Sequence, residues 1–176
     1  MADRWVALLR AVNLGSRNRV PMAELRVLLE ESGYADVATY IQSGNVLFAK
    51  RASDRAALAR KLERTIEDAF GVRSPVVLRT GPELRKVARS HPFGSDTSKT
   101  HVAFLAAKPA AEAARRLKAE DDAVLKGSDV YLHYPEGVQG ARRTGALLER
   151  QLGVPATIRN WKTMTRLAEL AEAPYY

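Results

Sequence analysis

Residues 37–49 read VATYIQSGNVLFA, and this stretch decides the fold. Two runs of mainly apolar, β-branched and aromatic residues, Val37–Gln42 and Val46–Ala49, flank Ser43-Gly44-Asn45. A short Gly-Asn connection between two such runs is typical of a β-hairpin. The sequence therefore predicts two adjacent antiparallel strands that turn at this tripeptide.

One helix and one strand are predicted on each side of the hairpin. Before it, the apolar run Arg4–Arg10 predicts a strand buried on both faces, and a helix follows over residues 21–33. After it, Ser53 caps a helix that ends at Gly71, and Val76–Arg79 predicts a short strand. The order strand–helix–strand–strand–helix–strand is that of a ferredoxin-like βαββαβ unit.

The same order of elements recurs in the second half of the chain. Strand patterns centred near residues 104, 124, 132 and 158 follow their counterparts near 7, 39, 47 and 77 at offsets of roughly 80 to 100 residues. We therefore predict an α+β protein of two tandem ferredoxin-like units plus a C-terminal helix. The predicted boundaries are residues 1–80 for the first unit, 81–99 for a connecting helix and loop, and 100–176 for the second unit with the helix.

The composition excludes several classes of protein and site. The 176-residue chain is 46% hydrophobic and contains no cysteine, which removes disulfides, thiolate zinc sites and cysteine nucleophiles. Its apolar runs are shorter than the roughly 20 residues that a membrane span needs. The opening residues lack the apolar core of a signal peptide. We therefore expect a cytoplasmic protein with no membrane partner.

The charge is basic and evenly spread. The net charge of +8 comes from 28 Lys and Arg against 20 Asp and Glu, and the two halves of the chain share it equally. Such a charge favours anionic partners and allows nucleic acid. Ferredoxin-like sheets bind RNA through spaced aromatic residues on central strands, a pattern that residues 45–48 (NVLF) lack. A nucleic-acid partner is therefore allowed but not favoured.

Four separated motifs resemble those of the bacterial domain of unknown function 1697 family. They are Leu8–Gly15 (LLRAVNLG), Val20–Met22 (VPM), Tyr40–Val46 (YIQSGNV) and Arg159–Thr163 (RNWKT). The resemblance extends over nearly the whole chain, and Ala11 stands where the opening motif would be expected to carry glycine. The resemblance implies no activity, substrate or catalytic residue, because none is established for the family.

Ferredoxin-like topology predicts one candidate site at a rim of the first unit. In a sheet of order 4-1-3-2, the end of strand 1, the hairpin and the start of the first helix meet at one side. Arginines, flexible glycines and a helix N-terminus are groups that bind anions. The candidate anion-binding residues are Arg10, Asn13, Gly15, Arg17, Arg19, Gln42, Ser43 and Asn45.

The alternative is that these residues only shape turns or are solvated. The long loop at residues 11–20 favours a function, because Lys108 and Pro109 make the corresponding connection directly in the second unit. Loops that are longer than the scaffold requires often carry binding residues.

A second candidate cluster lies in the second unit. Arg142 and Arg143 start one predicted helix, while Asn160 and Lys162 stand where the last helix begins, and the topology places both helix starts at the same end. The alternative is structural, since Asn160 is a good helix N-cap and Trp161 suits a core.

The sequence implies no metal and no cofactor. His91, His101 and His133 are far apart and lack partners at metal-ligand spacing. The glycine-rich motifs of P-loop and dinucleotide-binding proteins do not occur in the sequence.

The leading interpretation is a protein that binds a small anionic or phosphate-bearing ligand. One alternative is an enzyme of unknown reaction at the same rim, although Arg, Asn, Ser and Gln orient charge better than they move protons. Another is a basic nucleic-acid-binding protein, which a steep salt dependence of binding would distinguish.

Overall fold

The structure, a computed structural model, describes residues 3–51, 54–118 and 121–172. Its first six elements are β1 (Asp3–Leu9), α1 (Met22–Glu31), β2 (Ala35–Thr39), β3 (Asn45–Lys50), α2 (Arg55–Phe70) and β4 (Val76–Thr80). The helix α3 (Gly81–Arg89) follows. The remaining elements are β5 (Thr100–Leu105), α4 (Ala111–Leu117), β6 (Ala123–Lys126), β7 (Asp129–His133), α5 (Gly145–Leu152), β8 (Ala156–Asn160) and α6 (Trp161–Glu172).

The strands form two four-stranded sheets with the same topology. The strand orders are β2-β3-β1-β4 and β6-β7-β5-β8, and every neighbouring pair is antiparallel. Both orders are that of a ferredoxin-like sheet. The predicted α+β class and tandem ferredoxin-like units with a C-terminal helix are therefore confirmed.

Backbone hydrogen bonds identify equivalent positions in the two sheets. At the end of the first strand, each sheet has one bond to the hairpin and one to the residue before the last strand. The pairs are Leu9 N to Gly44 O (2.8 Å) with Leu105 N to Ser128 O (2.9 Å), and Arg10 N to Pro75 O (3.0 Å) with Ala106 N to Pro155 O (2.9 Å). Arg10 is therefore the counterpart of Ala106, and Gly44 is the counterpart of Ser128.

A buried arginine occupies the same position in each last strand. Arg79 pairs with Val6, and Arg159 pairs with Val102. Each guanidinium donates through Nη1 to the carbonyl oxygen of the preceding residue, at 2.9 Å and 3.0 Å. Burial lowers the pKa of Arg159 to about 10, which still leaves it charged at neutral pH. This shared detail supports a common plan for the two sheets.

The chain divides into two compact units. Unit 1 comprises the residues up to Leu84 together with those from Leu167 onward, and unit 2 comprises Arg85–Arg166. The boundaries predicted at residues 80 and 99 stay a prediction, because compactness does not show where a segment folds independently.

Each unit has its own apolar core between sheet and helices. The strand β1 is buried from Trp5 to Leu9, as expected for a strand covered on both faces. The helix α2 contributes Leu62 to the core of unit 1, and α5 contributes Leu148 to that of unit 2. On α1, Leu25 and Leu29 are buried while Leu28 is only half-buried.

The predicted hairpin boundaries were wrong by a few residues. The strand β2 ends at Thr39 rather than Gln42, and Asn45 is not a turn residue but the first residue of β3. The chain reverses instead through Ile41 and Gly44, which have φ of 51° and 86°.

The start of α2 also differs from the prediction. The N-cap is Asp54, whose Oδ1 accepts a hydrogen bond from Ala57 N at 3.0 Å. Ser53, the predicted cap, lies outside the described residues. Aspartate suits this position as well as serine, because its side-chain oxygen satisfies a free N–H of the first turn.

Candidate functional site

Two adjoining loops of unit 1 form the surface that we call the unit-1 rim. It consists of Arg10–Pro21, which joins β1 to α1, and Tyr40–Gly44, which joins β2 to β3. The side chain of Asn13 links the loops, because its Nδ2 donates to Gln42 O at 2.7 Å and to Val20 O at 3.0 Å. Its Oδ1 accepts from Val20 N at 2.8 Å. Asn13 is thus a structural organiser of the rim.

The rim contains most of the backbone strain in the described residues. Five described residues other than glycine have positive φ, and four of them lie on the rim. They are Ala11 (53°), Asn13 (56°), Asn18 (50°) and Ile41 (51°). Asparagine tolerates this left-handed conformation, but alanine and isoleucine occupy it at a cost of about 1–2 kcal/mol each. Such strain persists where surrounding contacts enforce it, and it clusters at functional sites.

Gly44 permits the two loops to pack closely. A Cβ on this residue would lie 2.6 Å from Val12 Cγ2 and 2.8 Å from Leu9 Cβ, both too short for carbon contacts. Gly15 also has positive φ, at 60°, but a Cβ there would meet no atom within 4 Å. The glycine at position 44 is therefore required by packing, and the one at 15 only by the turn.

Three arginines belong to the rim, in two different environments. Arg10 is half-buried, and its backbone is held in place because its carbonyl oxygen accepts a hydrogen bond from Ser74 Oγ at 2.7 Å. Arg17 and Arg19 are exposed. They precede the N-terminus of α1, where Pro21 is the cap residue and provides no side-chain hydrogen bond. The rim thus presents two exposed guanidiniums next to the positive end of a helix.

The polar hairpin residues divide into exposed and buried groups. Gln42 and Ser43 are exposed, while Asn45 is completely buried. The Nδ2 of Asn45 donates to Tyr40 O at 3.0 Å and to Ser43 Oγ at 2.9 Å. The structure thus places all eight predicted residues in or directly beside the two loops. Their role in anion binding stays a prediction, with Asn13 and Asn45 already used to hold the loops.

Two rim residues were not anticipated from the sequence. Leu14 is 63% exposed and Ile41 is 49% exposed, and both are among the most exposed large apolar side chains of the described residues. Their neighbours Asn13 and Gln42 are hydrogen bonded, so the two apolar side chains belong to adjacent segments. The sequence signal that could have identified both residues is an apolar residue inside a polar turn.

The second predicted cluster does not form a single site. Arg143 is buried, and its guanidinium donates to Gln151 Oε1 at 2.5 Å and to Asp122 Oδ1 at 3.2 Å. Its carbonyl oxygen accepts from the hydroxyl of Tyr134, whose burial raises the pKa of that phenol to about 12. Arg143 is therefore buried and hydrogen bonded within unit 2, and its role in ligand binding stays a prediction.

Arg142, Asn160 and Lys162 lie in separate cavities at the same end of unit 2. Arg142 lines a cleft of about 340 Å³ together with three carboxylates, those of Asp121, Asp122 and Glu136. Asn160 and Lys162 line another groove of about 690 Å³. Asn160 also caps α6 by accepting from Thr163 N at 2.7 Å, so the structural role considered for it is observed.

Within the described ranges, no group of three His, Asp or Glu side chains could hold a metal ion. In the same part of the chain, no helix has both the length and the apolar character needed to cross a membrane.

Fold and rim together define a two-unit ferredoxin-like protein with an extended basic loop on one unit. The chain belongs to the family described as protein of unknown function (DUF1697), whose model matches residues 2–131. It is also similar to the conserved bacterial protein SP0830 from Streptococcus pneumoniae, with 23% identity and a TM-score of 0.71. That match covers 98% of this chain and 100% of the other, and at this identity it shows the fold alone. None of the curated proteins matches the chain.

Proposed function

We propose that the unit-1 rim binds a small anionic ligand, with phosphate as the group recognised. The observation that carries the proposal is the strained Arg10–Pro21 loop, which Asn13 holds in a fixed shape beside the start of α1. A loop that is both strained and internally hydrogen bonded can position ligand-binding groups in advance.

The charges of the rim suit an anion. Neither loop contains an aspartate or a glutamate, whereas Arg17 and Arg19 are exposed. A guanidinium binds phosphate oxygens through two parallel N–H groups, and the free N–H groups of a helix start favour the same charge. Glu24 lies in the first turn of α1 and offsets part of the helix dipole. The two arginines must therefore supply most of the attraction.

Isothermal titration with inorganic phosphate tests this proposal. We expect Arg17→Ala and Arg19→Ala each to lower the affinity at least about threefold, because each removes a charge-assisted hydrogen bond at an exposed site. Arg60→Ala is the matched control, since Arg60 is also exposed but lies on α2, outside the rim. Phosphate binding that is unchanged by both rim variants would contradict the proposal.

The same variants distinguish a compact anion from a nucleic acid. Binding of a short oligonucleotide that neutralises several phosphates would weaken steeply as salt is raised, with a slope of roughly −0.7 per phosphate for a single strand. We expect the wild-type protein to bind phosphate with a shallow salt dependence. Tight, steeply salt-dependent binding of the oligonucleotide alone would favour the nucleic-acid alternative.

A further inference from the structure

A second cavity lies at the end of unit 2 where β5 begins and β8 ends. We call this groove of about 690 Å³ the unit-2 groove. One wall is formed by the segment around Thr97 and Ser98, and the other by the start of α6 at Trp161 and Lys162. The pairing of His101 with Asn160 brings the two walls together. Its volume is within the range of about 300–1,000 Å³ typical of sites for small ligands.

The charge of the unit-2 groove is positive. Within the described part of the chain, its lining contains no carboxylate and one cation, Lys162. The Lys162 ammonium is exposed, and no described carboxylate pairs with it. The neighbouring cleft lined by Arg142 and three carboxylates has the opposite balance. Of the two cavities, the unit-2 groove is therefore the one suited to an anion.

Hydroxyl and amide groups give the groove a second type of recognition chemistry. Thr97, Ser98 and Thr165 line it with partly or fully exposed residues, together with the amide of Asn160, whereas Thr100 at its base is buried. Thr165 Oγ1 donates to the carbonyl oxygen of Trp161 at 3.0 Å, which leaves its lone pairs as acceptors. Several hydroxyls on one surface can exchange hydrogen bonds with the hydroxyls of a polyol.

An aromatic side chain completes the groove. Trp161 is half-buried, and His91 fixes its indole in an edge-to-face contact with the ring centroids 4.7 Å apart. The ring of His91 is itself held, with Nδ1 2.9 Å from Gly94 O and Nε2 2.7 Å from Thr100 Oγ1. An indole that is anchored in this way can pack against the apolar face of a sugar or a base without losing much side-chain entropy.

We infer that the unit-2 groove binds a phosphorylated sugar, with the phosphate at Lys162, the sugar hydroxyls at the threonine and serine side chains, and a ring face against Trp161. This site is distinct from the unit-1 rim, because the residues that line it all belong to unit 2. A sugar phosphate and a nucleoside monophosphate share this chemistry, so both serve as probes.

The two tryptophans of the chain make the test specific. In a proton–nitrogen correlation spectrum, Trp161 reports on the groove, while Trp5 is the reference because its Nε1 donates to Lys50 O in unit 1. The full chain is titrated with ribose 5-phosphate, adenosine 5′-monophosphate and inorganic phosphate. We expect both organic phosphates to shift the Trp161 indole signal and to leave that of Trp5 in place.

Matched variants show which residues contribute to binding in the unit-2 groove. Lys162→Ala should weaken the binding of both organic phosphates about tenfold, because it removes the charge that faces the phosphate. Lys108→Ala is the control, since Lys108 is an exposed lysine at the other end of β5. Arg17→Ala should also leave this binding unchanged, which separates the groove from the rim. The dispersion of the backbone amide signals in the same spectra shows that both units of each variant are folded.

The outcomes decide the inference. Tighter binding of adenosine monophosphate than of ribose phosphate would identify a nucleotide as the ligand, and equal binding would identify the sugar phosphate itself. The inference is overturned if neither probe shifts the Trp161 signal, if Lys162→Ala binds like the wild type, or if inorganic phosphate shifts the Trp161 signal at the same concentrations as both probes. Loss of binding in Arg17→Ala but not in Lys162→Ala would leave the rim proposal standing and reject the groove.

Discussion

Unit 1 and unit 2 have sheets of the same topology but very different loops between the first strand and the first helix. The backbone bonds at the end of the first strand coincide, with Arg10 and Ala106 in equivalent positions. Unit 2 then reaches its helix through Ala106–Ala110, whereas unit 1 uses Arg10–Pro21. Since the scaffold closes with the shorter connection, the additional length in unit 1 is not needed for folding. Such length is typical of loops that carry a function.

Backbone strain also differs between the two units. Four rim residues of unit 1 other than glycine have positive φ, while none of the described residues of unit 2 except glycines does. The wide groove of unit 2 is at the other end of its own sheet, where β5 starts. The comparison indicates that one scaffold can be adapted at either end of its sheet, in unit 1 by extending loops and in unit 2 by leaving a cavity.

The largest expected effect tests whether the two cores are equivalent. Leu62 on α2 and Leu148 on α5 are both fully buried, so we expect Leu62→Ala and Leu148→Ala each to lower the free energy of unfolding by about 2–5 kcal/mol. Leu28→Ala is the control, because removing its half-buried side chain should lower the free energy of unfolding by less than either of the other two changes. Urea denaturation followed by circular dichroism measures all three. A loss below about 1 kcal/mol in one unit alone would break the equivalence.

The second prediction concerns the hairpin position at which the units differ. Gly44→Ala should cost about 2–4 kcal/mol, since it places a Cβ against Leu9 and Val12 in a left-handed conformation. Its counterpart Ser128 already carries a Cβ, so Ser128→Ala adds no atom to the turn and should cost less than Gly44→Ala. Equal effects in denaturant unfolding would show that the close approach in unit 1 is not enforced.

The strand order could be predicted from the sequence for two reasons. Apolar periodicity is a local pattern, and the order of elements in a ferredoxin-like unit leaves few alternative topologies. The sequence also grouped the rim residues, since strand ends follow from the same topology. It misplaced Asn45, because the turn conformation depends on Gly44 packing against Leu9 and Val12, which are distant in the chain. It treated Arg143 as a surface candidate, because nothing local reveals its bonds to Gln151 and Asp122.

Only one wall of the unit-2 groove consists of residues that the sequence analysis singled out. Asn160 and Lys162 were recognised as polar residues at a helix start, but they were grouped with Arg142 and Arg143 because all four lie at the same end of the unit. The opposite wall comes from Thr97 and Ser98, which sequence patterns describe only as a polar loop. Long-range pairing of β5 with β8 brings these segments together.

The third prediction tests the organiser of the rim, for which unit 2 has no counterpart in its short connection. Asn13→Ala should cost about 1–2 kcal/mol, because it leaves partners at Val20 and Gln42 without their hydrogen bonds. Asn13→Asp keeps the acceptor for Val20 N but sets a carboxylate oxygen against the carbonyl oxygens of Val20 and Gln42, so it should cost at least as much as Asn13→Ala. Phosphate affinity should fall in both variants, and further in Asn13→Asp, whose negative charge repels the anion. Full affinity in Asn13→Ala would show that the loop shape has no part in binding.

The smallest expected effect is at Ala11, the residue that follows Arg10 in the unit-1 rim. Its φ of 53° is a conformation that glycine adopts freely and alanine does not. Ala11→Gly removes strain of about 1–2 kcal/mol, while the greater freedom of the unfolded chain costs about 0.4–1 kcal/mol of stability, so the net stabilisation should lie between zero and about 1.5 kcal/mol. Ala106→Gly, at the first residue of the unit 2 connection, has no positive φ to relieve and should be neutral or destabilising. Denaturant unfolding of the two variants side by side measures the difference. If both variants lose stability equally, the surroundings do not hold Ala11 in a strained state, and the contrast between the two units would be one of loop length alone.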